Sequence, residues 1–329
     1  MIALFLSFAF LASAISANKV ILYALSPVML VGVRMLIGGC ILFLYTLFHK
    51  RHRLKLLSLK QDFLILLIIT LTTTLIPSQL KAYALQKMVS SKMAFFGTLD
   101  PFITALYAYF FFAEKLTPKK LLGIIIGFLG ACILILSSSP LEEQVKALAF
   151  ISYPELAAFS SIALSRFGWL LIQKLMKANA YTPPQINTIT MTLSGVISLA
   201  LAFIMHATAI GALTNQAPFF SYTFFQWLGP SSTLLFFVLY TSIIGNVFGY
   251  TLYASILKQY SATFISLAGF SIPLLVSFYG WLFLGESLSL LFFISCTITF
   301  IGLWIFFLDE RSTLVEKQIQ TGPVHESLE

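Results

Sequence analysis

The chain has 329 residues, of which 59% are hydrophobic and only 10% charged, against about 25% charged in an average soluble domain, and a water-soluble fold cannot hide that much apolar surface. Its net charge of +8 does not point to nucleic acid, because the basic residues gather at the ends of apolar runs rather than along one amphipathic face. The runs are continuous rather than alternating, which sets an outer-membrane β-barrel aside and leaves an all-α integral membrane protein, whose helices satisfy their own backbone in lipid.

Taken in chain order, apolar segments long enough to cross a hydrocarbon core of roughly 30 Å are predicted at 2–22, 27–48, 63–84, 91–113, 118–137, 150–173, 187–207, 234–256, 263–285 and 288–308. The first has a second reading as a signal peptide, since Ala12-Ser13-Ala14 offers a small-residue cleavage site. No Lys or Arg precedes it, however, so it is taken as the first of about ten transmembrane helices. With a cytoplasmic N-terminus, the inner loops and tail hold thirteen Lys and Arg, and the outer loops and span ends only Lys19, Lys81, Lys87, Lys92 and Lys146. That positive-inside bias places both termini in the cytoplasm of a bacterial inner membrane. The aromatic-rich loop from His206 to Ser232 reads as an interfacial outer segment, or alternatively as a lid. Cys40, Cys132 and Cys296 share no metal or disulfide spacing and read as core filler. No cofactor and no metal is expected.

Displacing the chain by 172 residues superimposes Gly97 on Gly269, Pro101 on Pro273, Tyr107 on Tyr279, Phe111 on Phe283 and Glu114 on Glu286, with no gap. Glycine, proline and glutamate at the same mutual spacing are rarer than chance apolar agreement. The chain therefore divides into five-helix units at 1–139 and 140–308, with a cytoplasmic tail at 309–329. Five is odd, so the units cross the membrane in opposite directions, as inverted repeats of alternating-access transporters do. In each GxxxP, proline removes one N–H and presses its ring toward the carbonyl four residues earlier. Gly97 and Gly269 occupy those positions, so a bend with a free carbonyl is expected in each half. Gly97, Pro101, Gly269 and Pro273 are read as paired hinges, with a packing kink as the alternative.

The stretch Ser91 to Leu136, SKMAFFGTLDPFITALYAYFFFAEKLTPKKLLGIIIGFLGACILIL, and its second copy from Thr263 to Phe307 resemble EamA-type members of the drug/metabolite transporter superfamily. Ser26-Pro27 with Arg34 adds to the likeness. The longer loop at 208–233 and the lack of a tryptophan in the first span depart from the family pattern. The resemblance implies ten helices in two inverted halves around a central cavity lined by spans 3, 4, 8 and 9. Gly123 and Gly127 form a GxxxG that suits close packing within one chain, or alternatively a homodimer contact.

An ionisable group near the bilayer centre costs at least ~2.5 kcal/mol on insertion scales and normally faces a cavity or a partner. Asp100, just before Pro101, is the leading candidate. It can bind a cation, exchange a proton, or pair with a neighbouring helix. Arg34 and Arg166 offer forked donors to a substrate carboxylate or to Asp100. Asn18, Gln79, Asn246 and Tyr253 supply uncharged contacts and Lys81 a charged one. Glu114 and Glu286 are read as interface locks.

The function these readings support is a secondary active transporter or exchanger of a small polar metabolite, an amino acid or an amino-acid or nucleoside derivative, with a proton or counter-substrate as its second partner. Lys outnumbers Arg 15 to 5 and Phe reaches 33, a bias expected of an AT-rich genome in a host-dependent bacterium. With the resemblance, that brings forward exchange of S-adenosylmethionine for S-adenosylhomocysteine, an aromatic cavity with one acid suiting a sulfonium. Export of amino acids or drugs is the alternative. An intramembrane enzyme is disfavoured, since no HExxH, GxSxG or paired intramembrane aspartates occur.

Overall fold

The computed structural model describes residues 2–49, 62–112, 117–135, 147–148, 151–177, 181–205, 230–259, 271–286 and 289–320. Helices dominate: α1 (Ile2–Ile21), α2 (Pro27–Phe48), α3 (Phe63–Lys87), α4 (90–112), α5 (Pro118–Ile135), α6 (Tyr153–Lys177), α7 (Pro183–Ile204), α8 (230–259), α9 (Ser271–Leu284) and α10 (Leu290–Gln320). A two-residue pairing of Ala147–Leu148 with Ile151–Ser152 precedes α6. Among the described residues, α2, α3, α6, α7 and the Ser231–Ser255 part of α8 are each long and apolar enough to cross a membrane. Large apolar side chains face outward along these helices, Leu64 at 69% and Ile204 at 74% exposure among them, which suits lipid rather than water.

Local sequence sets the ends and the irregularities. Helix α2 starts on Ser26, whose hydroxyl accepts from the Met29 N–H, with Pro27 at the first position. Helix α7 starts likewise on Thr182, in a capping box with Gln185 and followed by Pro183. Within α3 the ladder widens to a π-helical turn over Thr70–Leu75. Pro77 has no N–H for the Thr73 carbonyl, and the hydroxyls of Thr70, Thr72 and Thr74 bond back to the carbonyls of Leu66, Ile68 and Thr70. Helix α8 widens in the same way over Thr241–Tyr250.

Two helix pairs approach closely through glycine. A Cβ on Gly39 of α2 would stand 2.6 Å from Thr192 Oγ1, and one on Gly195 of α7 2.6 Å from the Leu36 nitrogen. In α5, Gly123 lies against the Gly302 carbonyl of α10 and Gly127 against the Phe102 ring. The GxxxG is thus occupied by packing inside the chain. Helix α1 contacts α8 and α9, and α6 packs on α3; Phe8, Ala12 and Ile21 of α1 are buried.

The turn between α3 and α4 is tied by polar groups from three other helices. Lys19 Nζ at the end of α1 donates to the carbonyls of Leu85 and Met88 at 2.6 and 2.8 Å. Glu286, just after α9, accepts from the Ser90 N–H with both oxygens at 3.0 Å and from the Ser90 hydroxyl. Lys92 Nζ lies 2.7 Å from Glu155 Oε1 at the start of α6, both side chains almost fully buried. Glu286 therefore does hold one helix end against another, while Lys19 and Lys92, counted above as outer charges, are interior groups. Glu114 lies outside the described residues.

Three expectations need correction or limits. The Gly97 carbonyl is not free: the chain tightens to a 3₁₀ turn over Gly97–Leu99, and the Asp100 N–H takes that carbonyl in place of the N–H that Pro101 lacks. Cys40 and Cys132 are exposed on the apolar surface, and only Cys296 is buried. Gly269, most of the loop 206–232 and the loop 50–61 lie outside the described residues.

Candidate functional site

Six helices and the start of α9 surround one central cavity. Helical periodicity explains the lining: Leu11, Ala14, Ile15 and Asn18 form one face of α1, Pro77, Ser78, Lys81, Ala82 and Leu85 one face of α3, and Ser161, Ile162, Ser165, Arg166 and Trp169 one face of α6. The π-helical turn of α8 brings Gly245, Asn246 and Tyr250 inward, and the α-helical continuation adds Tyr253. About 170 Å³ of the cavity is open to the centre of a water-sized molecule, an order of magnitude beyond the ~10–15 Å³ that one water needs.

Asn18, Arg34, Lys81, Asp100, Arg166, Asn246 and Tyr253 all line this cavity, as does Gly97. Gln79 does not: its amide donates to Ser198 Oγ of α7 at 2.8 Å. Asp100 and Arg166 form an ion pair with 2.9 Å between Oδ2 and Nη2. Arg166 Nη1 also donates to the Tyr253 hydroxyl at 2.7 Å, and its guanidinium lies 5.7 Å from the centre of that ring. Asn246 donates to the Arg34 carbonyl at 3.0 Å. Among the described residues, several buried polar atoms have no hydrogen-bond partner: Asn18 Oδ1, Arg34 Nε, Asp100 Oδ1 and Asn246 Oδ1. Such atoms are costly unless something else satisfies them.

Sequence reasoning passed over the aromatic wall. Trp169 stacks on Tyr250 with 13° between the planes and 6.0 Å between centres, and meets Tyr253 edge-on at 5.0 Å. Phe8 closes the group, 6.5 Å from Tyr253. The available signal was spacing, since Trp169 sits three residues after Arg166 on one helix face. The charge balance also differs from the expected aromatic site with one acid: the described lining holds three cations, Arg34, Lys81 and Arg166, against one carboxylate, Asp100. Among the described residues no His, Cys, Asp and Glu cluster is arranged to hold a metal.

A bundle of apolar helices converging on one charged, aromatic-walled cavity is the architecture of a membrane carrier. The chain belongs to the EamA-like transporter family, whose model matches residues 1–136 and 153–308. It is similar to the S-adenosylmethionine/S-adenosylhomocysteine transporter of Chlamydia muridarum, with 31% identity over 84% of this chain and 81% of that one. The protein of that name from Chlamydia trachomatis serovar L2 is 30% identical over 84% and 79%. An uncharacterised Bacillus subtilis transporter, YoaV, is 23% identical over 83% and 85%. A solved structure of 14% identity superposes with a TM-score of 0.62 over 95% of this chain and 96% of its own, a likeness of fold.

Proposed function

We propose that this chain exchanges S-adenosylmethionine for S-adenosylhomocysteine across a bacterial inner membrane by alternating access. The reading is carried by one observation: a chain about 30% identical to transporters of that name over most of its length has Arg34, Lys81, Asp100, Arg166 and a stacked Trp–Tyr wall lining one cavity. The substrate is contacted by Asn18, Arg34, Lys81, Asp100, Arg166, Asn246 and Tyr253, and its purine lies against Trp169 and Tyr250.

Two inverted halves of five helices each, 1–139 and 140–308, supply the motion. In support, an offset of 172 carries Thr74 of α3 onto Asn246 of α8, and an offset of 156 carries Arg34 of α2 onto Thr190 of α7. The hydrogen bonds exchange accordingly, with Asn246 donating to the Arg34 carbonyl and Thr74 to the Thr190 carbonyl at 3.2 Å. Both π-helical turns fall at corresponding positions, and the two family matches fall one on each half. Pro101 and Pro273 are the paired hinges, and both termini face the cytoplasm.

The test is uptake of labelled S-adenosylmethionine by proteoliposomes containing the purified chain. Uptake is expected to be saturable and strongly stimulated by S-adenosylhomocysteine loaded inside. Uptake equal to that of empty liposomes overturns the reading, and uptake that ignores internal substrate but follows a proton gradient replaces exchange by proton coupling.

A further inference from the structure

We infer that the cavity recognises its substrate by a carboxylate held between Arg34 and Lys81, and that a positive charge at the substrate's sulfur contributes little to binding. The inference rests on the transport reading above and adds to it which end of the molecule is read.

The described lining holds four charged side chains, Arg34, Lys81, Asp100 and Arg166. Asp100 is already spent on Arg166 at 2.9 Å, and Arg166 is further committed to the Tyr253 hydroxyl. That couple is close to neutral, so it attracts a sulfonium only weakly, although Asp100 Oδ1 is buried without a hydrogen-bond partner among the described residues. Arg34 and Lys81 remain. Among the described residues neither side chain makes a hydrogen bond or an ion pair, and Arg34 Nε is buried without a partner. Two cations that face one cavity without a hydrogen-bond or ion-pair partner among the described residues repel each other. A carboxylate between them relieves that repulsion, because its two oxygens accept from the guanidinium fork and from the ammonium together.

The rest of the lining fits the other parts of an amino-acid derivative. Asn18 and Asn246 leave buried amide oxygens unpaired, and these can accept from an α-ammonium. The stacked Trp169 and Tyr250 offer flat surface to a purine and do not require it to be charged. A site built this way accepts two molecules that share a carboxylate and a purine while differing by one charge at sulfur, which is what exchange of a methyl donor for its demethylated product requires.

Binding to the purified full-length chain is measured by calorimetry for S-adenosylmethionine, S-adenosylhomocysteine, decarboxylated S-adenosylmethionine and a panel of free amino acids. S-adenosylhomocysteine is expected to bind within a few-fold of S-adenosylmethionine, and the decarboxylated compound about tenfold to a hundredfold more weakly, the range for losing charge-assisted hydrogen bonds. Arg34→Gln and Lys81→Gln should each weaken S-adenosylmethionine by about tenfold or more while leaving the decarboxylated compound unchanged or improved. Decarboxylated S-adenosylmethionine binding as well as the parent, with S-adenosylhomocysteine much weaker, overturns the inference and leaves the transport reading standing. Failure of all three adenosyl compounds alongside binding of free amino acids, lost in both variants, overturns the substrate named above and keeps carboxylate recognition. If no compound binds, both fall.

Discussion

The carboxylate of Asp100 on α4 lies 2.9 Å from the guanidinium of Arg166 on α6, in the wall of the central cavity. One pair of side chains therefore links the helix carrying Pro101 to the helix carrying Trp169. The two side chains are 16% and 20% exposed, so the pair is part-buried, and removing one partner strands the other charge in the cavity wall.

Asp100→Asn keeps the size and removes the charge. We expect exchange uptake to fall by about tenfold or more, since Arg166 becomes a third uncompensated cation in the cavity, where strong charge-assisted contacts are worth roughly 1.5–3 kcal/mol each. The double substitution Asp100→Asn/Arg166→Gln should recover thermal stability relative to Asp100→Asn alone while remaining poorly active. Normal exchange by a well-inserted Asp100→Asn protein removes the pair from the site.

Lys92 and Glu155 give a second, separable expectation. Their ion pair is buried, and Glu155 Oε2 also accepts from the Ser152 N–H at 2.7 Å and the Ser152 hydroxyl at 2.8 Å. Lys92→Met leaves that carboxylate without its cation, so destabilisation of about 3–5 kcal/mol is expected. Thermal unfolding of the detergent-solubilised protein is the measurement. Glu155→Gln keeps an amide oxygen for Ser152 but strands the buried Lys92 ammonium, so it should destabilise as well, and a Lys92→Met transition equal to the parent's would show the pair to be energetically idle.

Much of this arrangement was legible in the sequence, for physical reasons. Lipid penalises charge, so a charged residue inside an apolar run announces a cavity or a partner, and Asp100, Arg34 and Arg166 were named on that ground; Lys81, named as one further contact, was also counted among the span-end charges, yet it lines the cavity. Pro101 likewise predicted an irregularity, although the 3₁₀ turn that satisfies the Gly97 carbonyl depends on a local choice between two donors that composition does not fix. Trp169 and Tyr250 were missed because aromatic residues are common throughout an apolar chain, and only packing shows which ones turn inward. Lys19 and Lys92 were misplaced for a related reason: at a helix end a lysine can face water or cap a neighbouring helix, and the partners Leu85, Met88 and Glu155 are remote in sequence.

Orientation can be checked without any transport assay. The charge asymmetry between alternate loops predicts a cytoplasmic C-terminus. A reporter that is active only in the cytoplasm should be active when fused after Glu329, and a periplasmic reporter there should be silent. The reverse result would refute an even number of spans with the N-terminus inside.

The proposed hinges at Pro101 and Pro273 give the last expectation. Pro101 denies the Gly97 carbonyl its α-helical donor, and the chain answers with a 3₁₀ turn in which the Asp100 N–H substitutes. Pro101→Ala restores the missing N–H and favours a continuous α-helix through the turn, so insertion and stability should be kept or improved. Exchange should slow by several-fold, because motions that open and close a carrier concentrate at such irregular turns. Gly97→Ala is the control for bulk: a Cβ there meets nothing within 4 Å, so loss of activity in that variant would reflect stiffening or intrusion into the cavity rather than a clash with a neighbouring helix. Pro273 is buried in α9, and its carbonyl accepts from the Ser277 hydroxyl at 2.6 Å. Because an offset of 172 carries Pro101 onto Pro273 in the proposed inverted half, Pro273→Ala should bias the carrier toward the face opposite to that favoured by Pro101→Ala, which accessibility labelling from each side of sealed vesicles reads directly. If both alanine variants exchange substrate at the parent rate and label like the parent, the prolines are packing kinks, and the opening motion resides elsewhere in the bundle.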